Sequence, residues 1–256
     1  MFDLSGKTVV ITGSSKGIGK AIAHRMAMAG AKVTISSRKA DICEEVAAEI
    51  NAGIPEGATG EAVSIPCNIN TKESLQNLVD ETKAKFGDIH SLVCNAALNP
   101  YFGPSADCPD DAFDKIMSSN IKSNHWLCNM VLPEMKARKD GSIIIVSSIG
   151  GIRGSAVLGA YCISKAADMQ LVRNLAVEHG ADNIRVNAIA PGLIQTNFAR
   201  ALWENPEILK QATSRAPLQR IGQPDEIAGA AVFMASSAGT FLTGQTLTID
   251  GGQTIT

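Results

Sequence analysis

Apolar residues in this chain follow two alternating patterns. Short runs rich in β-branched residues, at residues 8–12, 32–36, 62–66, 91–94, 142–146, 184–189 and 245–249, read as seven strands. Longer stretches with helical spacing lie between them, at about residues 18–29, 41–51, 71–86, 111–117, 121–137, 158–179 and 225–234. Gly30 and Gly87 close the first and third helices, and Gly53, Pro55 and Gly57 break the second. Strands that read as continuous apolar runs, rather than alternating ones, are buried on both faces. Joined by helices, they predict a parallel sheet with helices on either side. The expected fold is α/β, a doubly wound parallel sheet of seven strands in a single domain spanning residues 1–256. Residues 193–223 break the rhythm; they are polar, carry Trp203 and read as a lid.

Composition narrows the function. The 256 residues are 45% hydrophobic and 19% charged, which suits a soluble domain with a good core. The 23 basic and 25 acidic residues leave a net charge of −2, which offers nothing to nucleic acid. Cys43, Cys67, Cys94, Cys108, Cys128 and Cys162 form no C-x-x-C pair and no cluster with the four histidines. No metal is expected, and reduced thiols in a cytoplasmic protein are. No uncharged apolar run reaches about 18 residues, so no membrane span is expected. Residues 1–7 do not resemble a signal peptide, and Thr254-Ile255-Thr256 is not a peroxisomal address.

The first strand hands over to the first helix through Thr12-Gly13-Ser14-Ser15-Lys16-Gly17-Ile18-Gly19. Glycines there let the backbone turn sharply and approach a pyrophosphate at the helix N-terminus. A tight strand–helix turn would use them too; placement in the first strand–helix unit favours a dinucleotide and a Rossmann-type sheet. The second strand ends in Ser36-Ser37-Arg38-Lys39, with no acid before Asp41. An acid there would hold a ribose 2′-hydroxyl, whereas a 2′-phosphate wants positive charge. Arg38 offers a bidentate fork, Ser37 a hydroxyl and Lys16 a second charge, so NADP(H) is the expected cofactor. A solvated basic turn is the bland alternative.

Tyr161 and Lys165 stand four residues apart and share a helix face. A free phenol is too weak an acid for proton transfer at neutral pH, and a nearby ammonium is expected to lower its pKa. Ser148, after the fifth strand, is placed to hydrogen-bond a substrate oxygen. By itself, Y-x-x-x-K also fits an exposed pair.

Together these pieces resemble the short-chain dehydrogenase/reductase family over essentially the whole chain. The matching segments are Thr12 to Gly19, Asn95-Ala96-Ala97, Asn120, Ser147-Ser148, Tyr161 to Lys165, Asn187, Pro191-Gly192 and Asp250-Gly251-Gly252. The resemblance implies a general acid/base role for Tyr161. Lys165 would tune Tyr161 and hold the nicotinamide ribose, and Ser148 would polarise the carbonyl. Asn120 would hold a water that links Lys165 to solvent. Gly13, Ser15, Lys16, Gly17, Ile18, Gly19, Ser37, Arg38, Asn68, Ile69, Asn95, Ala96, Pro191, Gly192, Ile194 and Thr196 would meet the cofactor, alongside Tyr161 and Lys165. Asn68, Cys94 and Ala97 depart from the commonest pattern, which usually has aspartate, asparagine and glycine there. A homotetramer is implied as well.

Residues 95–103 and 190–203 look like the NADPH-dependent carbonyl reductases best known from vertebrate peroxisomes. That subgroup implies aromatic ketones, dicarbonyls or retinal as substrates. Leu98, Asn99, Tyr101, Phe102, Ile149, Gly150, Phe198 and Trp203 are the candidate pocket walls, though each aromatic fits core packing equally well. Arg153, Cys162 and His125 are read as surface or packing residues. Imine, enoyl or oxoacyl-thioester reduction could use the same site. A regulatory NADP-binding protein and a structural oligomer subunit are the readings from other classes.

Overall fold

The computed structural model describes residues 1–256. Seven parallel strands form one sheet: β1 (Thr8–Thr12), β2 (Lys32–Ser36), β3 (Glu61–Ser64), β4 (Ser91–Cys94), β5 (Gly141–Val146), β6 (Ile184–Pro191) and β7 (Thr246–Ile249). Their order in the sheet is β3-β2-β1-β4-β5-β6-β7, parallel throughout, as the apolar runs predict. The helices are α1 (Gly17–Met28), α2 (Ala40–Gly53), α3 (Lys72–Phe86), α4 (Asp110–Met117), α5 (Ser123–Arg138), α6 (Gly159–His179), α7 (Arg200–Trp203), α8 (Pro206–Thr213) and α9 (Pro224–Ala235).

Alternate residues of the central strands serve different cores. Val9, Ile11, Val93 and Ile144 pack against α1, α2 and α9 on one face. Val10, Leu92, Ile143 and Ile145 pack against α3, α5 and α6 on the other. The central strands β1, β4 and β5 are therefore apolar at successive positions rather than at every second one. The strand order reverses between β1 and β4. Connections leave those two strands in opposite directions, which opens a crevice at their carboxyl ends, the usual place for a ligand in such sheets.

Three details differ from the sequence expectation. β3 ends at Ser64 rather than at 66, although Ile65 and Cys67 still donate to the Ile35 and Ser37 carbonyls at 3.0 Å each; β3 is the edge strand, so Pro66 loses no ladder bond there. The stretch from α4 to α5 is one continuous path, interrupted only by a π-turn at Ser118–Lys122. The lid is helical: Asn205 caps α8 by accepting from the N–H groups of Glu207 and Ile208 at 2.9 and 3.4 Å.

Candidate active site

The glycine loop is shaped by backbone demands that a side chain would break. Gly13 and Gly17 have φ of +66° and +56°, in the left-handed region that favours glycine. A Cβ at Gly19 would run into the Gly13 carbonyl and lie 2.5 Å from the Asn95 amide nitrogen. Asn95 donates from its side chain to the carbonyls of Thr12 and Gly13 at 3.0 and 3.1 Å. Thr12 Oγ1 accepts from the backbone N–H groups of Asn95 and Ala96, both at 3.1 Å. These bonds lock the ends of β1 and β4 together beneath the crevice. α1 begins at Gly17 with no side-chain cap and no acid in its first turn. Its N-terminal N–H groups therefore suit a pyrophosphate.

We expect Gly19→Ala to cost about 1–3 kcal/mol by overpacking. If the loop holds a dinucleotide, the substitution should also abolish the rise in melting temperature that the dinucleotide gives. Thermal melts with and without NADPH measure both effects.

At the end of β2, Ser37 is half-buried, and Arg38 and Lys39 are exposed. Lys16 faces solvent across the same end of the sheet. None of Lys16, Arg38 and Lys39 is in an ion pair. Three unpaired cations and a hydroxyl fit a 2′-phosphate. Asn68 is exposed, with its own N–H held by Ser74 Oγ at 2.9 Å, while Ile69 leans on the second core.

The far end of the crevice is built from β6 and the lid. Pro191 is buried, and the Gly192 N–H donates to Ile249 at 2.9 Å. A Cβ on Gly192 would lie 2.7 Å from the Asp250 backbone, so the turn needs glycine. Ile194 is buried, and Thr196 reaches the glycine loop: a Cβ on Gly17 would stand 3.2 Å from its methyl group. Ser15 and Ile18 are half-buried in that loop.

Ser148, Tyr161 and Lys165 converge at the mouth of the sheet. Ser148 Oγ accepts from the Gly150 N–H at 3.0 Å and lies beside the Tyr161 phenol. Lys165 is 2% exposed; its ammonium donates to the Val146 carbonyl at 3.0 Å and to Asp168 at 2.9 Å. The ammonium lies 5.8 Å from the centroid of the Tyr161 ring. Burial pushes the Tyr161 phenol above its ordinary value, and the pull of Lys165 and Ser148 does not overcome it. The expected lowering by Lys165 is thus present as an attraction but does not set the net direction. Asp168, which no sequence pattern singled out, acts against it.

Asn120 is fully buried in the π-turn. Its side chain bonds both backbone groups of Leu98, at 2.9 and 3.0 Å, and donates to Ser164 Oγ at 3.0 Å. Asn120 therefore pins the loop after β4 to α6. Ser147, matched in the sequence without a role of its own, donates to the Lys165 carbonyl at 2.7 Å.

The proposed pocket walls divide. The Phe198 ring lies 5.9 Å from the Tyr161 ring, and Leu98 and Ile149 are half-buried at the same mouth. Trp203 ties the lid back through an indole N–H donated to Thr196 at 2.8 Å. Tyr101 folds onto its own loop, donating to the Pro104 carbonyl at 3.0 Å, and Phe102 is 64% exposed. His125 and Arg153 are exposed, and Cys162 is buried against Gly150. All six cysteines are free thiols.

Known proteins resemble this chain along nearly its full length. The sequence model of the family described as enoyl-(acyl carrier protein) reductase matches residues 13–254. Dehydrogenase/reductase SDR family member 4 from Bos taurus is 38% identical over 252 residues, 97% of this chain and 88% of the relative. A solved structure of 7α-hydroxysteroid dehydrogenase, complexed with NADH and 7-oxo glycochenodeoxycholic acid, has a TM-score of 0.91 and 37% identity. It covers 98% of this chain and 95% of that one. An assigned NAD(P)-dependent gluconate 5-dehydrogenase from Beutenbergia cavernae, with bound NADP at low occupancy, has a TM-score of 0.92 and 34% identity. There the coverage is 100% and 99%.

Proposed function

The chain belongs to the short-chain dehydrogenase/reductase family, and from that premise we propose that it is an NADP(H)-dependent oxidoreductase that interconverts ketones and secondary alcohols. The observation that carries this reading is the stacking of Tyr161 and Lys165 on one face of α6, with Ser148 opposite, at the carboxyl end of the sheet. When bound, the nicotinamide supplies a hydride to the carbonyl carbon or accepts one from the alcohol carbon.

The protein's own groups handle the oxygen and its proton. Tyr161 donates its phenolic proton to the carbonyl oxygen in reduction and recovers it in oxidation. Ser148 already accepts from the Gly150 N–H, which leaves its own proton free to point at the substrate oxygen. Lys165 spends two of its three donors on Val146 and Asp168 and keeps the third for the Tyr161 and ribose side. Asn120 contributes by fixing Leu98 and Ser164 around this group.

An apolar rim of Phe198, Leu98 and Ile149 supports hydrophobic or aromatic ketones and dicarbonyls over sugars. Resemblance to dehydrogenase/reductase SDR family member 4 supports the oxidoreductase part of this reading. Exposed Ile163 and Val177 on α6 suit helix pairing between copies, and a homotetramer is part of the proposal. No helix is long and apolar enough to cross a membrane, and cytoplasmic residence is part of the proposal.

Initial rates of NADPH and NADH oxidation against aryl ketones, diketones, sugars and oxoacyl thioesters test the reading. It expects NADPH-selective turnover of the ketones. No turnover with NADPH still bound would favour a regulatory nucleotide-binding protein instead. For cofactor choice, Arg38→Asp should weaken NADPH binding by about 2 kcal/mol, roughly the value of a charge-assisted hydrogen bond to a phosphate. NADH binding should change little. Equal losses for the two cofactors, in direct binding measurements, would remove Arg38 as the phosphate reader.

A further inference from the structure

Tyr161, Lys165 and Asp168 follow the i, i+4, i+7 spacing along one face of α6. Asp168 is fully buried, yet it is a carboxylate in the packed middle of a helix, where an unpartnered charge is costly. Both of its oxygens are used. One accepts from Lys165 Nζ at 2.9 Å and the other from Asn124 Nδ2 at 3.0 Å. Asn124 Nδ2 also donates to the Asn120 carbonyl at 2.6 Å, in the π-turn. A continuous chain of side chains thus runs from Lys165 through Asp168 and Asn124 to the backbone of Asn120.

We propose that Asp168 is a positioning residue of this active site: tethered by Asn124 to the π-turn, it holds the Lys165 ammonium against β5 and offsets its charge toward Tyr161. The inference rests on the reading of Tyr161 as the general acid/base. Without Asp168, the Lys165 ammonium, for as long as it holds its proton, would face the phenol with its whole charge. With it, proton loss from Tyr161 takes the group from net neutral to net negative, which is the harder direction in a buried site. Burial alone would pull Lys165 down; Asp168 and Tyr161 outweigh it and hold the ammonium charged. Asp168 favours the neutral phenol, the form that serves carbonyl reduction.

The other ionisable groups facing this cluster come from three elements. The Cys94 thiol on β4 is held well above its ordinary range, first by its contact with Cys128 on α5 and then by burial. Cys162, next to Tyr161 on α6, is raised by burial. β5 contributes only the Val146 carbonyl. Asp168 is therefore the negative charge that balances Lys165.

The chain contains only two tyrosines, Tyr101 and Tyr161. In a Tyr101→Phe background, the ultraviolet phenolate band reports Tyr161 alone. Titrating that protein from pH 8 to about 12.5, without cofactor or substrate, compares the parent with Asp168→Asn, Asp168→Ser and Asp168→Glu. The midpoint should fall by about one pH unit in the Asn and Ser variants, the scale of one close charge. The Glu variant should stay near the parent. The Ser variant leaves room for water beside the ammonium and covers the case in which the Asn variant does not fold. A midpoint that is unchanged or higher in the folded charge-removed variants would overturn the inference, even if their melting temperatures fall. The titration needs no turnover, so failure of the oxidoreductase reading in the ketone assays remains a separate result.

Discussion

Replacing Tyr161 with Phe is expected to lower turnover by about 10²–10⁴-fold, the usual contribution of a positioned proton donor. NADPH affinity and melting temperature should stay close to those of the parent. The ring would keep its place beside Phe198, 5.9 Å away between centroids. Only the hydroxyl next to Ser148 is lost. Because burial holds this phenol above its ordinary value, it is protonated at neutral pH, the form that reduction needs. In the oxidation direction the phenolate is the base, so the parent enzyme should speed up as pH rises. Parallel pH–rate profiles in the two directions measure this difference. A Phe variant that retains near-parental rates would mean that the substrate proton travels through another group.

Lys165→Met is expected to be damaging twice over. It removes the charge beside Tyr161, and it strands Asp168, a carboxylate with 0% exposure, without its cation. Breaking a buried pair from one side costs about 3–5 kcal/mol. For a chain of this length that is of the order of 10 °C in melting temperature. The pH dependence follows from Asp168. Burial already raises its pKa with Lys165 present, and removing Lys165 raises it further. A carboxyl whose folded pKa is raised costs no stability below its unfolded value near 4, about the reference for Asp. The cost grows as pH climbs past that value. The melting deficit of Lys165→Met should therefore be large at pH 7 and shrink toward pH 4. Adding Asp168→Leu should recover much of the stability but none of the activity, since it removes the stranded charge and not the missing ammonium.

These two predictions mark how far the sequence could be read. The strands were legible because residues such as Val9, Val10 and Ile11 are buried on opposite faces, leaving unbroken apolar runs. Arg38, Ser37 and Lys16 were legible as a candidate phosphate site, and the structure adds that neither cation is paired with an acid. Tyr161 and Lys165 were visible by spacing. Asp168 was not: a charged residue in a helix ordinarily reads as solvent-facing. The π-turn at Asn120 left no trace either, because one extra residue in a helical path has no compositional mark. The lid helix α8 carried a readable signal in Asn205-Pro206, a capping residue followed by proline at the first helical position. The polar character of residues 193–223 masked it.

The central claim is that this site moves a hydride between NADP(H) and a carbonyl carbon while Tyr161 handles the proton. The most direct measurement uses NADPH deuterated at the transferring position, an aryl ketone that the enzyme turns over and, in competition, an enoyl thioester. Mass spectrometry of the products locates the label. We predict one deuterium on the carbinol carbon of the alcohol, formed by the parent enzyme and about 10²–10⁴-fold more slowly by Tyr161→Phe. Label appearing only at a former C=C carbon, or in no product, would contradict the claim.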